Sequence, residues 1–168
     1  SALTLTATPR LVGTLRATEF DGAPWLPPGQ WPRMDGSIAL DATATTFGLD
    51  GTLAAEAFGD GPVRVQGSGR WHEPTLEVAS LHAWLPRSSL SLKVAGSVEF
   101  GGPAPKLALA GEWTALRWPL AGDPSIESAL GAFALQGSMP YAFDVQAHVR
   151  APALDTAPEA RFDAQGSV

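Results

Sequence analysis

Leu90-Ser91-Leu92-Lys93-Val94-Ala95-Gly96-Ser97-Val98-Glu99-Phe100 sorts itself into two faces. Leu90, Leu92, Val94, Gly96, Val98 and Phe100 fall on one side, and Ser91, Lys93, Ala95, Ser97 and Glu99 on the other. Successive strand side chains point to opposite faces, so this period of two predicts a β-strand with one apolar and one wet face. Such one-sided strands belong mostly to antiparallel sheets.

The same reading extends in both directions. Lys106 to Trp113 sets Leu107, Leu109, Gly111 and Trp113 against Lys106, Ala108, Ala110 and Glu112. Tyr141 to Arg150 sets Phe143, Val145, Ala147 and Val149 against Asp144, Gln146, His148 and Arg150. Further strands are predicted near 2–8, 10–18, 34–41, 46–58, 62–71, 74–81, 131–138 and 160–168, and helical spacing is nearly missing. Gly59-Asp60-Gly61-Pro62, Gly101-Gly102-Pro103-Ala104-Pro105 and Met139-Pro140 interrupt the runs, because proline has no N–H to give to a ladder. Two longer connections are expected, Phe20 to Arg33 and Ala121 to Ala129, the second with room for one helical turn after Asp123-Pro124.

Glycine recurs inside the strands at positions 13, 36, 51, 67, 96, 111, 137 and 166, with repeated spacings of 15 and 29. A strand of about ten residues plus a short connection gives the first spacing, and two such units the second. The chain therefore reads as a meander built by repetition. Nearly all of these glycines fall in the apolar phase, where a glycine marks a bend, a bulge or the close approach of another group. Repeated across strands, they are expected to let the sheet curl with its apolar side inward, or else to lie where two sheets of a sandwich press together.

Composition excludes several functions. With 168 residues, 45% apolar and 17% charged, the chain is one domain-sized unit with material for a core. A net charge of -6 leaves no concentration of Lys and Arg for a phosphate backbone, so no nucleic acid is expected as a partner. Cysteine is absent, which removes disulfides, thiolate metal sites and a thiol nucleophile. No apolar run reaches the roughly 18–20 residues of a membrane-spanning helix. Both ends fall within alternating runs, so a fragment of a longer chain is expected.

His72, His82 and His148 have no partner at metal-ligand spacing, and no HExxH, GxSxG or phosphate loop occurs. Asp35, Asp41, Asp50 and Glu56 lie in polar strand phases, where a carboxylate is ordinarily just solvated. The expectation is a non-enzymatic protein with no catalytic residue, no metal and no cofactor. Of six tryptophans, Trp25, Trp31 and Trp118 sit beside prolines, while Trp71, Trp84 and Trp113 are expected to close strands. There they plug the ends of an apolar interior or rim the mouth of a groove.

The stretch Leu107-Ala108-Leu109-Ala110-Gly111-Glu112-Trp113-Thr114-Ala115-Leu116-Arg117-Trp118-Pro119-Leu120 resembles a recurring element of the TamB family. These are the inner-membrane subunits of the translocation and assembly module, within the wider group of AsmA-like bridge proteins. Ala129 to Ser138 continues the likeness, and Trp31 to Ile38 is a looser copy. The likeness covers most of the chain as a style of repeat, and 107–138 is its distinctive part. It implies a periplasmic segment of a long β-rich chain, anchored to the inner membrane elsewhere, that conducts phospholipid between the two membranes. It also implies work with a BamA-like outer-membrane barrel in assembling outer-membrane proteins.

The expected fold is therefore all-β, a curved, mostly antiparallel sheet folded into a taco-like trough with an apolar interior. The groove lining expected from the strand phases is Leu49, Leu53, Val63, Val65, Leu76, Val78, Leu90, Leu92, Val94, Val98, Leu107, Leu109, Phe133, Leu135, Phe143, Val145 and Val149. Its cargo would be the acyl chains of phospholipid or another amphiphile. The alternative is a structural or interaction module with a closed sandwich core that binds partners by strand addition.

Overall fold

The computed structural model describes residues 9–20, 33–55, 59, 61–152 and 160–168. The strand expected at 2–8, the connection from Asp21 to Pro32, and Trp25, Trp31 and Glu56 lie outside them.

Ten strands follow one another: β1 Arg10–Phe20, β2 Met34–Thr43, β3 Thr46–Ala54, β4 Val63–His72, β5 Thr75–Trp84, β6 Ser91–Glu99, β7 Lys106–Trp118, β8 Ile126–Gly137, β9 Ala142–Arg150 and β10 Ala160–Ser167. They form one sheet in sequence order, each strand antiparallel to the next. The sheet is not closed: β1 and β10 are its two edges. The described residues contain no helix, so the turn expected after Pro124 is a bend instead. There the Ser125 N–H donates to the Trp118 carbonyl at 2.8 Å, closing a hairpin whose last strand pair is Trp118 with Ile126.

That hairpin is longer than the alternation suggests. β7 continues past Trp113 to Trp118, and β8 starts at Ile126 rather than near 131. Trp113 thus sits inside a strand and does not close one. Ala115, two residues on, has a positive φ of 50°, an uncommon conformation for alanine. Beyond it Leu116, which belongs to the polar phase by simple alternation, lines an apolar cleft.

Register carries the two faces across the sheet. One line of directly opposed residues crosses all ten strands: Gly13, Leu40, Leu49, Gly67, Leu81, Val94, Gly111, Phe133, Val145 and Ala164. On the opposite face, directly opposed side chains pair by charge. Lys93 meets Glu112 at 3.4 Å, Lys106 meets Glu99 at 3.7 Å, and Glu127 takes Arg150 at 3.3 Å and Arg117 at 3.6 Å. Exposed pairs of this kind contribute little stability each, but they disfavour any register that would place like charges together.

Several glycines of the apolar face receive side chains from the neighbouring strand. A Cβ at Gly111 would stand 2.5 Å from Cε1 of Phe133, one at Gly69 2.5 Å from Cε1 of Phe47, and one at Gly166 2.8 Å from the Phe143 ring. Each of these glycines is directly opposite the residue that lies over it. Real Cβ atoms do not come so close, so only glycine lets a ring lie flat on the sheet at these points. The close approach expected of them comes from within the sheet, strand to strand.

Candidate functional site

Sixteen of the seventeen residues expected to line a groove fall on one face of this sheet, and Leu90 lies just outside it. Leu49, Val94, Phe133 and Val145 belong to the ten-strand line given above. Leu109, Leu135 and Phe143 oppose one another on β7, β8 and β9, with Val78 joined to them through Gly96. Leu76, Val98 and Leu107 form a third line, and Leu53 opposes Val63. Val65 faces Ala83, which faces Leu92, and Val149 faces Ser128. Leu90 stands just before β6, where its carbonyl accepts the Leu85 N–H at 3.1 Å.

Leu92 is 37% exposed and the other sixteen are half-buried. The buried apolar residues among those described are Leu85 and Ala147, and no large side chain is wholly inaccessible. No helix or second sheet lies over this face among the described residues. A sandwich core at ordinary packing density would bury most of these side chains completely.

At one end the face deepens into a cleft of ≈ 410 Å³. Val63, Leu90, Leu92 and Phe133 of the expected lining reach it, together with Ala83, Trp84, Leu85, Trp113, Leu116 and Leu120. Every one of these side chains is hydrocarbon or aromatic. Trp113 is held in place by two groups of β8. Its Nε1–H donates to Ser128 Oγ at 3.0 Å, and the Ser128 hydroxyl donates onward to the Leu130 carbonyl at 3.1 Å. Ser128 is 4% exposed, so both ends of its hydroxyl are satisfied where water hardly reaches. The connections framing this end also meet: Gly59, before β4, lies against Ala121, after β7, with a Cβ at Gly59 standing 3.0 Å from the Ala121 Cα.

Alternation alone misses several of these residues. β5 carries one residue more than β6 between Val78 and Leu81, so Leu76 and Val78 share a face with Leu81 and Ala83 despite the odd spacing. The signal is present as Ala79-Ser80, where two small residues interrupt the apolar period. A like shift between Ser128 and Gly131 brings Ser128 inward on β8.

A second hollow, of ≈ 660 Å³, lies on the polar face and is lined by Gln66, His82, Lys93, Glu112 and several alanines. Its charges are already matched, Lys93 to Glu112. His82 is likewise engaged, with Nε2 2.8 Å from Ser91 Oγ and its ring stacked on Trp84 at 4.5 Å. His72 ends β4 and pairs with Glu77 at 3.4 Å, and His148 is exposed on β9. Asp41 pairs with Arg10, and Asp35 accepts the Glu19 N–H at 2.7 Å. No group of three His, Asp or Glu side chains poised for a metal occurs among the described residues. Among the described residues no helix is long and apolar enough to cross a membrane.

Compared with protein-family models, curated proteins and solved structures, the chain matches none of them.

Proposed function

We propose that this chain is a non-enzymatic segment of a lipid-handling bridge protein of the bacterial envelope. In this reading its sheet folds into a trough, and the apolar face carries the acyl chains of phospholipid past water. The segment works in the periplasm as part of a longer chain anchored in the inner membrane, with a BamA-like barrel as its outer-membrane partner.

One observation carries the reading: an apolar face runs across ten strands, and its large side chains remain half-buried or exposed. Contiguous apolar patches of that extent mark binding surfaces in soluble proteins. The contact of Gly59, before β4, with Ala121, after β7, joins connections of strands that stand three apart in the sheet, and it favours bending about the apolar end. The cleft there is free of polar side chains apart from the Trp84 and Trp113 indoles, of which Trp113 is already bonded.

The energetics explain why such a lining suits a passive conduit. Moving one methylene from hydrocarbon into water costs about 0.8 kcal/mol. A sixteen-carbon chain would cost roughly 13 kcal/mol, so a path must replace the membrane interior along nearly all its length. Headgroups stay in water beyond the rim.

Organic extraction of the purified chain followed by mass spectrometry tests the proposal, with uptake of a fluorescent phospholipid beside it. Stoichiometric amphiphile and saturable uptake are expected. Repeated absence of both would overturn the reading in favour of an interaction module.

A further inference from the structure

Next to the apolar cleft, on the polar side of the same strands, lies a hollow of ≈ 430 Å³ with charged walls. Arg117, Glu127 and Arg150 stand directly opposite one another across β7, β8 and β9, so one carboxylate sits between two guanidinium groups. Arg150 Nη2 donates to Glu127 Oε2 at 3.3 Å, while Arg117 Nε stays 3.6 Å from Oε1, longer than a hydrogen bond. Glu127 is thus engaged from both sides, with its side chain 32% exposed. The arginine side chains are more open, at 48% and 59%, and each guanidinium has five N–H groups, so both keep donors to spare. Ala115 and Ala129 bring only methyl groups to the space between them. In a chain of net charge -6, this spot holds two positive charges against one negative.

Hollow and cleft meet at β7, where Leu116 lines both. β6 stops at Ser91, opposite Thr114, so beyond that pair no strand lies along the outer edge of β7 among the described residues. The two faces are separated there by the width of a single strand, about 5 Å.

We propose that Arg117 and Arg150 form a seat for the phosphate of an acidic phospholipid whose acyl chain lies in the cleft, its headgroup turning round the free edge of β7. This rests on the lipid reading above and adds to it a choice of headgroup. Guanidinium forks bind phosphate oxygens in pairs, and both forks converge on this one hollow. The excess positive charge favours a head of net negative charge. Glu127, already engaged by both arginines, is a poor partner for the ammonium of a zwitterionic head.

Titrating the purified chain with phosphatidylglycerol and with phosphatidylcholine, each bearing the same fluorescent acyl chain, tests the seat. Uptake of the first is expected to be about fivefold tighter at low salt, with the difference shrinking as ionic strength rises. Arg117→Gln and Arg150→Gln are each expected to remove most of that preference by weakening uptake of the phosphatidylglycerol. Glu127→Gln frees both guanidiniums and is expected to raise the preference, whereas mere loss of surface ion pairs would not. Arg70→Gln makes the same change of charge on an exposed arginine near the other end of β4, and it is expected to keep the preference. Inorganic phosphate carries the same chemistry without the chain and is expected to compete only far above the lipid concentration. Competition at matching concentrations would make this a site for free phosphate and overturn the headgroup seat. Equal uptake of the two lipids by the unaltered chain overturns the seat and leaves the trough standing, as does a preference that neither arginine variant alters. Uptake of neither lipid overturns both.

Discussion

The indole of Trp113 lies on Gly131, its direct opposite on β8, and fills the place where a Cβ would stand. The ring's Cη2 would be 2.7 Å from that Cβ, with Cζ2 and Cε2 closer still. Phe133, two residues along β8, stacks beside the indole at 6.4 Å between centroids. The wall of the apolar cleft thus depends on one position having no side chain.

Gly131→Ala is therefore expected to destabilise the chain by about 1–3 kcal/mol, the usual effect of forcing a methyl into occupied space. Combining it with Trp113→Ala should give a total well below the sum of the two, because the ring that clashes is gone. Urea melts of the two single variants and the double variant measure this. Additive effects would show that the indole is not seated on the glycine.

Removing the Trp113 hydrogen bond tests the same wall from its polar side. Ser128→Ala leaves the indole N–H facing a nearly dry site without its acceptor, at an expected cost of about 1–3 kcal/mol. A melting temperature unchanged by Ser128→Ala would mean that water takes over the bond.

Most of the architecture can be read from residue order, because alternation is a local property. Leu90 to Phe100 needs no partner to display its two faces, and Lys106 to Trp113 and Tyr141 to Arg150 repeat it. What alternation does not carry is anything that depends on a neighbour. The extra residue in β5 shifts Leu81 and Ala83 onto the apolar face, and two small residues are its whole signature. Ala115 turns Leu116 inward through a positive φ that no glycine or asparagine announces. The glycines were visible in the right phase, but which side chain each accepts follows from register, which relates residues on different strands.

The β1 edge has its own pH signature. Arg10 Nε–H donates to Asp41 Oδ1 at 2.7 Å, and its Nη2 reaches the other carboxylate oxygen. That hydrogen bond, helped by the guanidinium charge, holds the Asp41 carboxyl below its ordinary value of 3.8. A carboxyl depressed by folding favours the folded form above the ordinary value and stops doing so as pH falls through the lower one. The side-chain carbon shift of Asp41, followed by NMR, should therefore titrate below the ordinary aspartate range. In Arg10→Gln it should titrate higher, near that range. Coincident curves would mean that the pair does not persist in solution.

The conduit reading stands or falls on the apolar face of β7, where Leu109 and Lys106 give a matched pair of substitutions. Leu109 opposes Gly96 on one side and Leu135 on the other, half-buried in the middle of that face. Lys106 points away and pairs with Glu99 while its side chain stays 64% exposed. Lys106→Ala should change stability by no more than about 0.5 kcal/mol and leave lipid uptake intact. Leu109→Asp introduces a carboxylate that keeps some contact with water on a half-buried face, so the sheet should still form, with a lowered melting temperature. An acyl chain passing that point would have to bury the charge, which costs several kcal/mol. Each 1.4 kcal/mol, roughly, is tenfold in the rate of a step, so uptake should fall by at least about tenfold. Circular dichroism separates loss of fold from loss of function, and fluorescent-lipid uptake reads the function itself. A folded Leu109→Asp chain that takes up lipid as the unaltered chain does would sink the conduit. Complete unfolding by this one substitution would instead point to a closed core at Leu109, and with it to the interaction module.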